Sequence, residues 1–206
     1  MQYKELGFRP FYHHFCLIPM RPVYLEGMPG FPDVETCSYL LSFGFIDHNA
    51  GFTFEVLGAA SKNEDGSYHF SDTNPKKRFY LRAQRIFEDD IILLEENYWD
   101  RFTEKLELLK RQYQVNEKVV QTRSDTSLDR FRDFFLMDDV FVYLALEKKM
   151  VECVWVRIEG KDEVGFFGSL LTEPEQDFGL HLSHLVRFES QQLEDGSVIF
   201  RYTGKK

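Results

Sequence analysis

Apolar and polar positions along the chain change their period twice, and the two changes outline the molecule. Residues 1–35 carry five of the seven prolines, Pro10, Pro19, Pro22, Pro29 and Pro32, together with Gly7, Gly27 and Gly30. That spacing excludes long helices and predicts strand and loop wrapped on something else, with the aromatic-dense stretch 8–15 as cover for a sheet face. Residues 39–46 and 52–57 are apolar-rich runs separated by Asp47-His48-Asn49-Ala50-Gly51, where Asn and Gly supply the positive φ that a hairpin connection needs. A second turn, Asn63-Glu64-Asp65-Gly66-Ser67, precedes Tyr68-His69-Phe70, and runs 78–87 and 91–94 flank Glu88-Asp89-Asp90. The first ninety-odd residues read as antiparallel β structure.

At Asn97 the period lengthens. Tyr98, Trp99, Phe102, Leu106, Leu109 and Tyr113 fall three and four apart behind a capping Asn97, which predicts a helix. The polar stretch 114–124 is expected to break it, and Thr126 with Asp129 reads as a capping box opening a second helix through Leu128, Phe131, Phe134 and Phe135, ended by Asp138-Asp139. From Val140 the period returns to two. Strands are expected at 140–146, 151–158, 164–172, 185–190 and 198–203, with turns at Glu147-Lys148-Lys149, Gly160-Lys161-Asp162 and Glu194-Asp195-Gly196-Ser197. Five short strands in so few residues, some containing glycine, predict a small, strongly bent SH3-like barrel. The expected fold class is α+β, with a β-rich part over 1–94, two helices packing on the sheets over 95–136 and a barrel-like sheet over 137–206. The weak boundary lies in 114–124. The echo between residues 63–67 and 193–197 is the residue set a tight hairpin demands rather than a duplication.

Composition narrows the class of object. With 206 residues, 43% hydrophobic and 16% aromatic, the chain can bury a substantial core and is far from the disordered composition. No apolar run is long enough to span a bilayer, and no secretion signal is read in the first twenty residues. The formal net charge of -9 disfavours nucleic acid as a partner. Acidity leans towards the end of the chain, with 13 acids against 8 bases in residues 137–206. Cys16, Cys37 and Cys153 are odd in number, widely spaced and without a C-x-x-C pair, so they are expected to be reduced, mostly buried core residues of a cytoplasmic protein.

Candidate chemistry is sparse. The one basic cluster, Lys76, Lys77, Arg78, Arg82 and Arg85, is interleaved with Phe79 and Tyr80. On a strand Arg78, Tyr80 and Arg82 share a face, which reads either as the basic outer side of a half-buried strand or as an anion or partner patch. His181 and His184 are the nearest thing to a metal pair, yet no partner completes a ligand set, and they read more simply as loop histidines. The pairs Asp89-Asp90, Glu95-Glu96 and Asp138-Asp139 sit at expected turns and read as solvated caps rather than glycosidase acids. There is no nucleophile elbow, phosphate loop or dinucleotide fingerprint, so neither cofactor nor catalytic residue is assigned.

One resemblance is visible near the C-terminus. Val154-Trp155-Val156-Arg157-Ile158, then Gly165-Phe166-Phe167-Gly168-Ser169-Leu170-Leu171-Thr172-Glu173-Pro174, then Leu185-Val186-Arg187-Phe188, resembles a bacterial family of small barrel domains without an assigned activity. The likeness covers about 60 residues; Thr172-Glu173-Pro174 stands where the pattern has Asn-x-Pro, and Phe178-Gly179-Leu180 is its glycine loop. It implies a fold piece and a bacterial origin, and no site residues. The leading functional expectation is therefore a non-enzymatic protein-binding or regulatory module for a basic protein partner, an immunity-type inhibitor being one form. The alternative is a small-molecule hydrolase or ligand-binding protein with a cleft between helices and sheet.

Overall fold

A computed structural model describes residues 1–31, 33, 35–72, 77–146 and 149–204, without the side chain of Asp72. Lys76, and Glu147 and Lys148 of the turn expected there, lie outside the described residues. The chain is α+β and divides into two compact units, Met1–Gln114 and Val115–Lys206.

The first unit is a sheet covered twice. Short α1 (Tyr3–Leu6) leads to β1 (Phe15–Pro19), short α2 (Pro22–Leu25), and the long hairpin β2 (Tyr39–Asp47) and β3 (Gly51–Lys62). After β4 (Tyr68–Asp72) come β5 (Phe79–Arg82), β6 (Ile92–Leu93) and α3 (Thr103–Gln112). The strand order is β4-β3-β2-β1-β6, with β5 also on β3, and all registered pairs in this sheet are antiparallel. Hairpin β2–β3 turns where Asp47 Oδ1 accepts the Asn49 and Ala50 amides at 3.0 and 3.2 Å, and Gly51 takes φ +82.

Nearly every position of β2 and β3 is buried, because each face has its own cover. On one face Phe52 and Phe54 meet Tyr3, Phe8 and Phe11 at ring-centroid distances of 5.6 to 6.1 Å, so the proline-rich start of the chain is a lid on the sheet. The Phe11–His14 segment lies so close that a Cβ on Gly44 would land on the Phe11 carbonyl oxygen. On the other face Phe43, Phe45 and Leu57 pack with Phe102, Leu106 and Leu109 of the helical segment. That helix starts later than the periodicity suggests: Asn97 accepts the Trp99 amide at 2.8 Å, a 3-10 turn spans Asp100–Phe102, and only then does α3 begin.

The second unit starts with α4 (Glu117–Ser124), a helix where a break was expected. Asn116 caps it by accepting the Val119 amide at 3.0 Å. Its buried side chains are Val119, Thr122 and Arg123, so its inner face is largely polar and escapes a search for apolar periodicity. The second helix expected from Thr126 is instead a 3-10 turn, Thr126–Phe131, capped by Asp125 rather than Thr126.

A closed five-stranded barrel follows, made of β7 (Asp139–Leu144), β8 (Glu152–Asp162), β9 (Gly165–Leu170), β10 (Leu185–Gln192) and β11 (Val198–Tyr202) in the order β10-β11-β7-β8-β9. Neighbours are antiparallel except β11 and β7, which close the ring in parallel. Strand β8 runs through the turn expected at residues 160–162, with a register shift between Ile158 and Gly160 bending it. Alternate residues fill the interior: Val140, Val142, Val154, Val156, Ile158, Phe166, Phe188 and Phe200 are all buried. The echo is a repeated turn. Ser67 donates to Asp65 and Ser197 to Asp195 through the amide at 2.9 Å and the hydroxyl at 2.6 Å, and Gly66 and Gly196 take φ +87 and +83.

Candidate functional site

The basic strip faces the helix. Tyr80 packs with Phe45 and with Tyr113 just past α3, and its strand neighbours Arg78 and Arg82 share that side. An arginine turned into a packed face needs a carboxylate, and both have one. Arg78 donates from Nε and Nη2 to the buried Glu55 at 3.1 and 2.6 Å, and from Nη1 to Gln112 Oε1 at 2.6 Å. Arg82 donates to Asp47 Oδ2 at 3.1 Å and to the Thr53 hydroxyl. Exposed Lys77 donates to the Pro29 carbonyl at 3.0 Å, and exposed Arg85 lies in a 3-10 turn beyond the strand. The outer-face arrangement expected from alternation is thus corrected: the strand lies with Arg78, Tyr80 and Arg82 towards α3 because Glu55 and Thr53 on β3 meet them in register.

Buried Lys105 of α3 adds a second cation near Glu55. Burial pushes the Glu55 carboxyl up, against the pull of Arg78 and Lys105, and burial lowers the Lys105 ammonium. Neither residue stands out in the sequence pattern. A Glu between Phe54 and Val56 in a strand buried on both sides is the signal that could have found one of them.

The second unit has a parallel device. Asp138 and Asp139, read as solvated caps, are buried and bound to arginines. Arg123 of α4 donates to both Asp138 oxygens at 3.0 and 2.6 Å, and Arg157 of β8 to both Asp139 oxygens at 2.7 and 3.0 Å. Arg132 donates to the Thr122 carbonyl at 2.6 Å and to the Met137 carbonyl. These contacts tie α4 and the 3-10 turn to the barrel. Asp89 is likewise buried, receiving the Tyr24 hydroxyl at 2.6 Å and pairing with Arg21, whereas Asp90, Glu95 and Glu96 are exposed as expected.

His181 and His184 lie in the exposed turn before β10, their ring centroids 5.3 Å apart. His181 Nδ1 bonds Glu173 Oε1 at 2.8 Å, while His184 Nδ1 accepts the His181 amide at 3.1 Å. Among the described residues no group of three or more His, Cys, Asp or Glu is arranged to hold a metal. Cys16 is buried, Cys37 half-buried and Cys153 exposed, so the thiol at 153 departs from the core placement expected of all three; no disulfide joins them. In the first unit the space between α3 and the sheet is filled by Phe45, Tyr80, Leu109 and Tyr113. An open depression of about 340 Å³ lies elsewhere, lined by Leu25, Met28, Phe31, Asp33, Glu35 and Thr36.

Outside the barrel an apolar row runs over β7, β8 and the residue after β9, with Leu185 of β10 diagonal to its end. Phe141 opposes Trp155, whose carbonyl takes the Leu171 amide at 2.8 Å, and Leu185 opposes Ser169 on the next strand. Each is the outward alternate of a buried neighbour: Val140, Val156, Leu170 and Val186. Leu185 is 57% exposed and Leu171 37%. An acidic loop borders the row, holding Glu173, Glu175 and Asp177 in solvent, and its start is fixed to β8 because Glu152 accepts the Glu175 and Gln176 amides at 2.6 and 3.2 Å.

Comparison with known proteins finds no match to this chain among family models, curated proteins or solved structures. No helix among the described residues is long and apolar enough to cross a membrane.

Proposed function

We propose that the protein is a non-enzymatic protein-binding or regulatory module whose partner is a basic protein, an immunity-type inhibitor of a basic toxin being the specific form. One observation carries this reading: the placement of the charges. Arg78, Arg82, Arg123, Arg157 and Arg187 are engaged by carboxylates of their own unit, while the loop that borders the exposed apolar row presents Glu173, Glu175 and Asp177 to solvent. Cations held by internal acids contribute little to the outward field, so the surface offers negative potential to a cationic partner and steers its approach. The bacterial origin and the cytoplasmic setting belong to the same proposal; the first rests on the sequence pattern of the last sixty residues.

Affinity purification of the tagged full chain from its own cells, with mass spectrometry of proteins and small molecules in one eluate, tests the reading. A stoichiometric basic protein that dissociates as salt is raised is the expected result. A bound metabolite without protein would transfer the weight to a small-molecule hydrolase or ligand-binding protein, with the depression beside Met28 and Thr36 as the first place to look.

A further inference from the structure

We infer that the outer face of the barrel, the row Phe141, Trp155, Leu171 and Leu185, is the surface on which a basic, apolar-bearing segment of a protein partner docks. This rests on the proposed function and adds the location and the chemistry of the contact. Every strand of the closed barrel has a paired neighbour on each side, so a partner reaches the outer face through side chains rather than by adding a strand. Phe141, Trp155 and Leu171 stand in line, the two aromatic rings 5.2 Å apart at one end, and Leu185 lies diagonal to Leu171, opposite Ser169 in the adjoining row of Arg157 and Asp139; outward apolar side chains so gathered are of the kind that marks an interface.

The occupant follows from the rim. Glu152, Glu173, Glu175 and Asp177 gather along one side. His181 and the Leu182 amide hold Glu173 below the usual carboxylate range, so it stays anionic in mildly acid solution. Lys149, the described lysine next to this loop, is turned onto the Asp177 carbonyl and the Phe178 ring. A second copy of the chain would bring the same acids against these, which like-charge repulsion opposes; a cationic segment with interspersed apolar side chains complements both the row and its border.

The test titrates the full chain with three short synthetic peptides, an amphipathic Lys/Leu peptide, a Glu/Leu peptide of the same spacing and oligolysine, and follows the Trp155 indole and the leucine methyl groups by NMR. The Lys/Leu peptide is expected to bind best, to perturb Trp155, Leu171 and Leu185, and to weaken with salt. Leu185→Glu should reduce its affinity by about tenfold, the size of loss when a charge replaces an apolar contact. Val164→Glu, an exposed apolar position outside the row, should leave it unchanged. Equal binding of the Glu/Leu peptide, or an equal loss in Val164→Glu, overturns the inference. Binding with perturbations elsewhere overturns this surface and leaves the basic-partner reading standing, whereas failure of both cationic peptides overturns both. A concentration-dependent dimer abolished by Leu185→Glu assigns the row to a second copy and overturns it too.

Discussion

The sheet of the first unit and the barrel of the second solve the same burial problem differently. An open sheet has two faces, and here both are apolar, so the segment that carries Tyr3, Phe8 and Phe11 covers one and α3 the other. The barrel turns one face of every strand into a shared interior and takes only a partial cover, from α4 on β8 and the 3-10 turn. Away from α4 and the Arg157–Asp139 pair, its outer face is free to carry side chains chosen for something other than folding. The comparison teaches where to look for function in a chain without catalytic motifs: on the side of the sheet that stability does not claim.

The sharpest way to break that distinction is to truncate inside the barrel. Phe188 is fully buried and packs against Phe166 and Phe200 at 5.6 and 5.7 Å, so Phe188→Ala should cost about 3–5 kcal/mol in denaturant unfolding. A cost near zero would mean that the barrel interior is not the core of this unit.

Next come the ion pairs, where both units rely on buried charge. Asp138→Ala strands the Arg123 guanidinium in a buried site and is expected to cost about 3–5 kcal/mol, and replacing both residues by apolar ones should recover most of that loss. Hydrogen exchange over Glu117–Ser124 checks the structural content, since the loss should appear as fraying of α4. If the double variant is no better than the single one, the pair supplies attraction beyond compensating its own desolvation.

These pairs also explain what the sequence could and could not disclose. The barrel strands were legible because each alternates cleanly, as Val154, Val156 and Ile158 do against Trp155 and Arg157. Helix α3 was legible from its apolar spacing. Helix α4 was not, because it docks through Thr122 and Arg123, and a polar inner face looks like a solvated segment. The basic strip misled for the same reason. Alternation placed Arg78 and Arg82 together, but which face they take is decided by Glu55 and Thr53 on a strand more than twenty residues away. Of the docking row, Trp155, Leu171 and Leu185 lay in plain sight within the family-like pattern; only closure of the barrel separates them from their buried neighbours.

A smaller effect probes the cover of the first sheet. Gly44→Ala would drive a methyl group into the Phe11 carbonyl, and the N-terminal segment must move or the strand must bend, at about 1–3 kcal/mol. Loss of amide protection at His13, which donates to the Gly44 carbonyl at 2.9 Å, would locate the damage. Full protection there would show that the segment can shift without opening.

Glu55 offers a pH-resolved test of the same unit. Its folded carboxyl is raised above the ordinary 4.5 by burial, which outweighs Arg78, so above that value the native state holds the proton more tightly than the unfolded chain. The contribution of this group is therefore most favourable below about pH 4.5 and declines as pH rises through the folded value, by at most about 1.4 kcal/mol per pH unit. In Glu55→Gln that decline should vanish from the stability profile, even though the variant is less stable throughout for leaving Arg78 without its carboxylate. An unchanged slope would assign the pH dependence to other groups.

The smallest expected effect carries the most weight for function. Leu185 stands outside the barrel, more than half exposed, beside Val186 and Phe188, which point in. Leu185→Glu removes little buried area and creates no cavity, so its cost should stay within about 0.5 kcal/mol. Phe188→Ala, three residues along the same strand, should cost several times more. If Leu185→Glu proved as damaging as Phe188→Ala, the outer face would belong to the folding core and would be unavailable to a partner. A stability cost near zero together with loss of Lys/Leu peptide binding separates the two faces of one strand, the inner serving the fold and the outer serving the contact.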